Sequence, residues 1–139
     1  MNKVKDIVKL IPHRAPFLFV DEITAVDVES VSGNRTFDHS EQILPSGHGE
    51  LSFVPGTIVL ESMVQCGGAG VYKMGLTQGL FGLAHIERAD FLEQVHFGEK
   101  VTYEIKNFKV SKKYVKQSGK AFVNGKIILD AIWMCVRLD

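Results

Sequence analysis

The stretch IVLESMVQCGGAGVYK, residues 58–73, decides how the chain is read. Ile58, Val59, Leu60, Met63, Val64 and Val71 make it a helix that is apolar nearly all round, and such a helix must be wrapped by other elements. Pro55-Gly56 opens it, and it runs to about Met74 before Gly75. Gly67, Gly68 and Gly70 each cost about 1 kcal/mol relative to Ala inside a helix, so their use is close approach of a sheet or neighbouring backbone. Glu61 stands among the apolar residues. A carboxylate placed there is costly unless it is paired, neutralised or used.

The wrapping is legible on both sides of this helix. Upstream, Val4, Ile7, Val8 and Ile11 have the spacing of a short amphipathic helix ended by Pro12. Residues 17–28 and 30–39 read as two strands joined by a tight turn, followed by a polar loop over 40–56 punctuated by Pro and Gly. Downstream, residues 80–91 form one strand. Val101, Tyr103 and Ile105 alternate with polar neighbours in a second. The last two strands, 112–123 and 126–138, meet at Asn124-Gly125, a strong hairpin signal. Six antiparallel strands around one long central helix give an α+β hot-dog fold, one domain over residues 1–139.

Bulk properties exclude several classes. The 139 residues carry no net charge, and 45% are apolar, so nothing in the total argues for nucleic acid or an anionic membrane. The charge is nevertheless uneven. Residues 1–107 hold nine Lys/Arg against fourteen Asp/Glu, and residues 108–139 hold seven against two. Cys66 and Cys135 lack metal or redox spacing and read as buried free thiols of a reducing compartment. The N-terminus has no apolar core of a signal peptide. The apolar stretch over 53–76 is interrupted by Glu61, Gln65 and Lys73, so no membrane span is expected, and the cytoplasm is the default location.

Three segments resemble one known family. LIPHRAPFLFVDEI (10–23) resembles the N-terminal signature of the 3-hydroxyacyl-acyl carrier protein dehydratases (FabZ-like proteins). VPGTIVLESMVQ (54–65) resembles that family's Pro-Gly helix start and helix carboxylate, and VNGKIILDAIWMCVR (123–137) resembles its last hairpin. The resemblance implies a hot-dog fold, homodimers or trimers of dimers with shared active sites, and loss of water from a 3-hydroxyacyl thioester carried by acyl carrier protein or coenzyme A. By the same resemblance Gly47-His48 supply the loop base, Glu61 the acid, and Gly56 the backbone N–H that meets the thioester carbonyl. Phe53, Val54 and Gln65 join Gly56 as substrate-binding residues. The chain departs from the family after His48, where Gly49-Glu50-Leu51 replaces Phe-Pro-Gly. Glu61 follows His48 by 13 positions rather than 14, and Ala15 stands where the family has Tyr.

The chemistry asks for these residue types. Dehydration needs a base for the C2 proton, an acid for the C3 hydroxyl and donors for the carbonyl oxygen. A loop histidine has an ordinary pKa of about 6.5 and suits the base. Desolvation disfavours an ionised carboxylate, so Glu61 is expected to stand neutral and give up a proton. The free N–H groups that begin the helix suit a developing oxyanion. No metal or organic cofactor is called for. His13, His39, His85 and His96 have no ligand spacing and read as structural or surface residues. Lys112, Lys113 and Lys116, with Lys109 and Lys120, are either the wet face of a hairpin or a docking patch for an acidic carrier protein. A thioesterase in which Glu61 activates water, and a non-catalytic acyl-binding or partner subunit, remain as alternatives.

Overall fold

A computed structural model describes residues 2–38 and 52–139. The elements are β1 (Asn2–Lys3), α1 (Val4–Ile7), β2 (Glu22–Val26), β3 (Ser30–Thr36), β4 (Phe53–Val54), α2 (Gly56–Lys73), β5 (Phe81–Phe91), β6 (Val95–His96), β7 (Lys100–Val110), β8 (Tyr114–Val123) and β9 (Lys126–Arg137). One antiparallel sheet runs in the order β1-β2-β3-β7-β8-β9-β5, and β4 pairs separately with β6. The six strands expected from the pattern are all present and curl around α2, which makes this a hot-dog fold. Three short strands were not anticipated: β1, which extends the β2 edge, and β4 and β6, which pair over two residues.

Alternation fixes which side of each strand meets the helix. Val101, Tyr103 and Ile105 of β7 are buried, as are Val115, Gln117, Ala121 and Val123 of β8. Register shifts at 107–109 in β7 and at 83–85 and 86–88 in β5 break strict pairing. Such irregularities add local twist and help a sheet close around a helix. The β8–β9 hairpin turns at Asn124 (φ 50°) and Gly125 (φ 79°), the pair of positive φ angles that a tight hairpin requires.

Close packing explains two of the three helix glycines. A side chain on Gly70 would collide with Val31, and one on Gly67 would lie 2.5 Å from Gln117 Oε1. The contact is reciprocal, because a side chain on Gly33 of β3 would collide with the Cys66 sulfur of α2. Gly68 has open space instead, and it borders a cavity. Polar groups at the interface are paired: Tyr103 donates to Ser62 Oγ at 2.5 Å, and Ser62 donates to the Phe19 carbonyl at 2.6 Å. Gln117 Nε2 donates to the Gly67 carbonyl at 3.1 Å and to Asn107 Oδ1 at 2.8 Å.

The N-terminal segment differs from its sequence reading. Helix α1 spans only Val4–Ile7 and passes into a turn, although Ile7 and Ile11 are both buried. Residues 17–21 do not belong to β2. There the chain lies across α2, and the amide of Gln65 takes up the Phe17 carbonyl and the Phe19 N–H that a neighbouring strand would otherwise satisfy. A side chain thus substitutes for a strand partner.

The two classes of helix glycine have opposite expected responses. Gly68→Ala should raise the urea-unfolding free energy by up to about 1 kcal/mol, since only helix propensity changes. Gly70→Ala should lower it by about 1–3 kcal/mol through overpacking against Val31. Equal effects at the two positions would contradict this packing scheme.

Candidate active site

Helical geometry sorts the candidate residues onto two sides of α2. Glu61, Gln65, Gly68 and Tyr72 follow one another at spacings of four, three and four, so they form one stripe. That stripe lines a small cavity of about 100 Å³, together with His13, Gln117 and Cys135. Gly56 sits five residues before Glu61, which turns the chain by about 500°, or about 140° net. It opens onto a different cavity of about 710 Å³, lined also by Phe53, Val54, Phe91, Val95 and His96.

Gly56 is the first residue of α2, so its N–H and that of Thr57 have no carbonyl one turn earlier to bond. The carbonyl of Pro55 already accepts from Ile58 and Val59. Any side chain at position 56 would lie 2.8 Å from the Phe91 ring. Glycine therefore lets the Phe91 ring pack against the start of the helix, which carries no side-chain cap. Phe53 and Val54 are held in the same wall by pairing with His96 and Val95.

Glu61 is held by one oxygen. Its Oε1 accepts a 2.9 Å hydrogen bond from Gln65 Nε2 one turn along, and His13 Nε2 lies 3.6 Å from the same oxygen. Gln65 is itself fixed, since its Oε1 accepts from Phe19 N at 2.9 Å and its Nε2 also donates to the Phe17 carbonyl at 3.1 Å. The Glu61 side chain is 21% exposed, so it is not sealed in the greasy face that its neighbours suggested. The reason is Gly68 and the cavity beside it, which leave the stripe partly uncovered. Burial, and then the nearby Glu61 charge, push the Cys135 thiol up to about 11, so it supplies no thiolate to this cavity.

His48, the expected base, lies outside the described residues, as does His39. His85 is exposed on β5, and His96 is exposed with its ring 3.2 Å from Glu99. Lys112 and Lys113 occupy the exposed turn between β7 and β8, whereas Lys116 faces Glu87 of β5 at 3.5 Å. Lys120 stands in register with Glu104 and Asp130 on the neighbouring strands. Part of the basic run is thus matched by acid across the sheet, Lys109 of β7 lies over the Tyr114 ring, and the turn carries the remainder. Among the described residues no group of three His, Cys, Asp or Glu could hold a metal ion.

The FabA-like domain family matches residues 11–132. The chain belongs to that family. The 3-hydroxyacyl-[acyl-carrier-protein] dehydratase FabZ of Fusobacterium nucleatum subsp. nucleatum is 32% identical over 142 residues, covering 100% of this chain and 99% of the relative. The FabZ dehydratase of Actinobacillus pleuropneumoniae serotype 5b is 33% identical and covers 97% of this chain and 90% of its own. Among solved structures, the dehydratase heterocomplex ApeI:P from Xenorhabdus doucetiae superposes with a TM-score of 0.81 at 15% identity, covering 96% of this chain and 91% of that one. At that identity the match bears on the fold alone.

Within this FabA-like site, His13 against Glu61 was missed by sequence reasoning. The two are 48 positions apart, and only the path of residues 17–21 across α2 brings the loop over the carboxylate. Phe91 over Gly56 was also missed, since it depends on how β5 is placed. Gln65→Leu should cost about 1–3 kcal/mol in an unfolding titration, because it leaves the buried Phe19 N–H unpaired. Glu61→Gln keeps a partner for Gln65 and should cost much less. A smaller loss for Gln65→Leu than for Glu61→Gln would contradict this ranking.

Proposed function

We propose that this FabA-like protein is a 3-hydroxyacyl-[acyl carrier protein] dehydratase, a hydro-lyase that converts a 3-hydroxyacyl thioester to the trans-2-enoyl thioester. The observation that carries the reading is Glu61, held through Oε1 in the wall of one cavity, on a helix whose N-terminus faces a second cavity. Its full-length likeness to the FabZ dehydratases supplies the reaction class.

In this reading the Gly56 N–H receives the thioester carbonyl and stabilises negative charge as it develops there. His48 takes the C2 proton. Glu61, in its protonated form, delivers a proton to the C3 hydroxyl, which leaves as water while the C2–C3 double bond forms. The ledger closes with one proton gained by His48 and one lost by Glu61, reset by proton exchange before the next turnover. Phe53 and Val54 line the approach to Gly56, and Gln65 keeps Glu61 aimed.

Gly56 and Glu61 face different cavities on one helix, and this supports a homodimer in which Gly56 and His48 of one subunit meet Glu61 of the other. Strand β5 ends the sheet and has no partner on its outer edge among the described residues, so a second copy can continue the sheet there. The exposed Lys112 and Lys113 turn adjoins Val115, which lines the Glu61 cavity, and this favours docking of an acidic acyl carrier protein at that mouth. No helix of the described residues is long and apolar enough to cross a membrane. A cytoplasmic location is part of the proposal.

The test is incubation of the protein with 3-hydroxyacyl thioesters in the presence of a chelator, following both enoyl absorbance and thiol release. Enoyl product should form. Thiol release without an enoyl signal would indicate a thioesterase. His48→Ala and Glu61→Gln should each lower kcat by about 10²–10⁴-fold, the usual contribution of a general acid or base. Lys112→Glu with Lys113→Glu should raise KM for carrier-bound substrate and spare small soluble thioesters. Wild-type rate retained in His48→Ala would remove the base assignment.

A further inference from the structure

His13 has an unusual setting for a loop histidine. Its Nδ1 is buried and has no hydrogen-bond partner among the described residues, while Nε2 points to Glu61 Oε1 at 3.6 Å. A buried unpaired N–H is rarer and costlier than a buried unpaired acceptor, so the ring hydrogen belongs on Nε2. That places an N–H donor toward the carboxylate. At 3.6 Å the contact is longer than a hydrogen bond, and catalytic contacts of this kind commonly tighten when substrate binds.

The loop does not need the ring for its own shape. Arg14 Nη1 donates to the carbonyls of Ile11 at 2.8 Å and His13 at 2.7 Å, and Phe17 N donates to the Arg14 carbonyl at 2.8 Å. These bonds fix the backbone on either side of His13 and leave the imidazole, 30% exposed, to face Glu61. Gln65, one turn along α2, donates to the same oxygen.

We infer that His13 is a positioning residue for Glu61: its Nε2–H and the Gln65 amide together hold Oε1, so that Oε2 is the oxygen that carries and gives up the proton. A protonated carboxyl has one accepting and one donating oxygen. Two donors on Oε1 fix which is which, and Oε2 becomes the donating oxygen of a residue that lines the cavity. The inference rests on the dehydratase reading, in which Glu61 is the acid. Without His13, Gln65 alone holds Oε1 and the carboxyl rotates more freely, which lowers kcat and leaves substrate binding little changed.

The experiment compares full-length wild type, His13→Ala and His13→Gln on a short soluble 3-hydroxyacyl thioester, with thermal unfolding measured in parallel. His13→Ala should lower kcat by about 10–100-fold, the effect of losing one oriented donor, with KM within about twofold. His13→Gln, which restores an N–H donor, should recover most of the loss. Unchanged kcat in His13→Ala, or a loss matched by unfolding and not recovered by Gln, would overturn the inference. A second readout needs no activity. Ring ¹⁵N–¹H correlation spectra should place a hydrogen on His13 Nε2, and that resonance should move in Glu61→Ala. A bare Nε2 with the hydrogen on Nδ1 would overturn the inference, whereas absence of any enoyl product from wild type would overturn the dehydratase reading and leave the spectra to decide the contact.

Discussion

Five residues of α-helix turn the chain by about 140°, and that angle separates the two candidate site residues that α2 presents. Gly56 offers a bare N–H to one cavity, and Glu61 offers a carboxyl to another. In the proposed dehydratase a second subunit brings the two to one substrate, and the packing around α2 fixes how accurately they meet.

Firm holding comes from packing and from paired polar atoms acting together. Val31, Cys66 and Gln117 occupy space that only glycines at 70, 33 and 67 leave open, so sheet and helix meet at backbone distance. Ser62, Gln65 and Gln117 are buried among mainly apolar residues, yet each makes at least one hydrogen bond to a backbone carbonyl or N–H group of a neighbouring segment. An unpaired group there would cost about 1–3 kcal/mol, so these bonds set the helix register as well as its depth. Gln65 links both roles: it anchors residues 17–19 and aims Glu61.

Much of this was legible in the residues, because period and turn chemistry are local. The apolar run through Met63 and Val64, the alternation at Val101, Tyr103 and Ile105, and the Asn124-Gly125 turn each appear where they were read. Close approach was read correctly at Gly67 and Gly70. Gly68 instead makes room for the cavity, a distinction that depends on which residue of the sheet stands opposite. Glu61 was legible as an anomaly, but its partner was not. His13 reaches it only because residues 17–21 leave the strand pattern and bond to Gln65, a tertiary choice with no local signature. The basic run was legible as charge, whereas its partial cancellation by Glu87, Glu104 and Asp130 follows from register.

Subunit complementation tests the central claim most directly. His48→Ala and Glu61→Gln chains are purified separately, shown to be inactive, then refolded together at equal amounts, with subunit exchange verified by mass. If His48 of one subunit serves Glu61 of the other, each mixed dimer holds one site with both defects and one with neither. Half the dimers are mixed, so the mixture should recover about a quarter of wild-type activity. No recovery despite proven exchange would mean that each chain carries its own complete site, and would contradict the division of labour across α2.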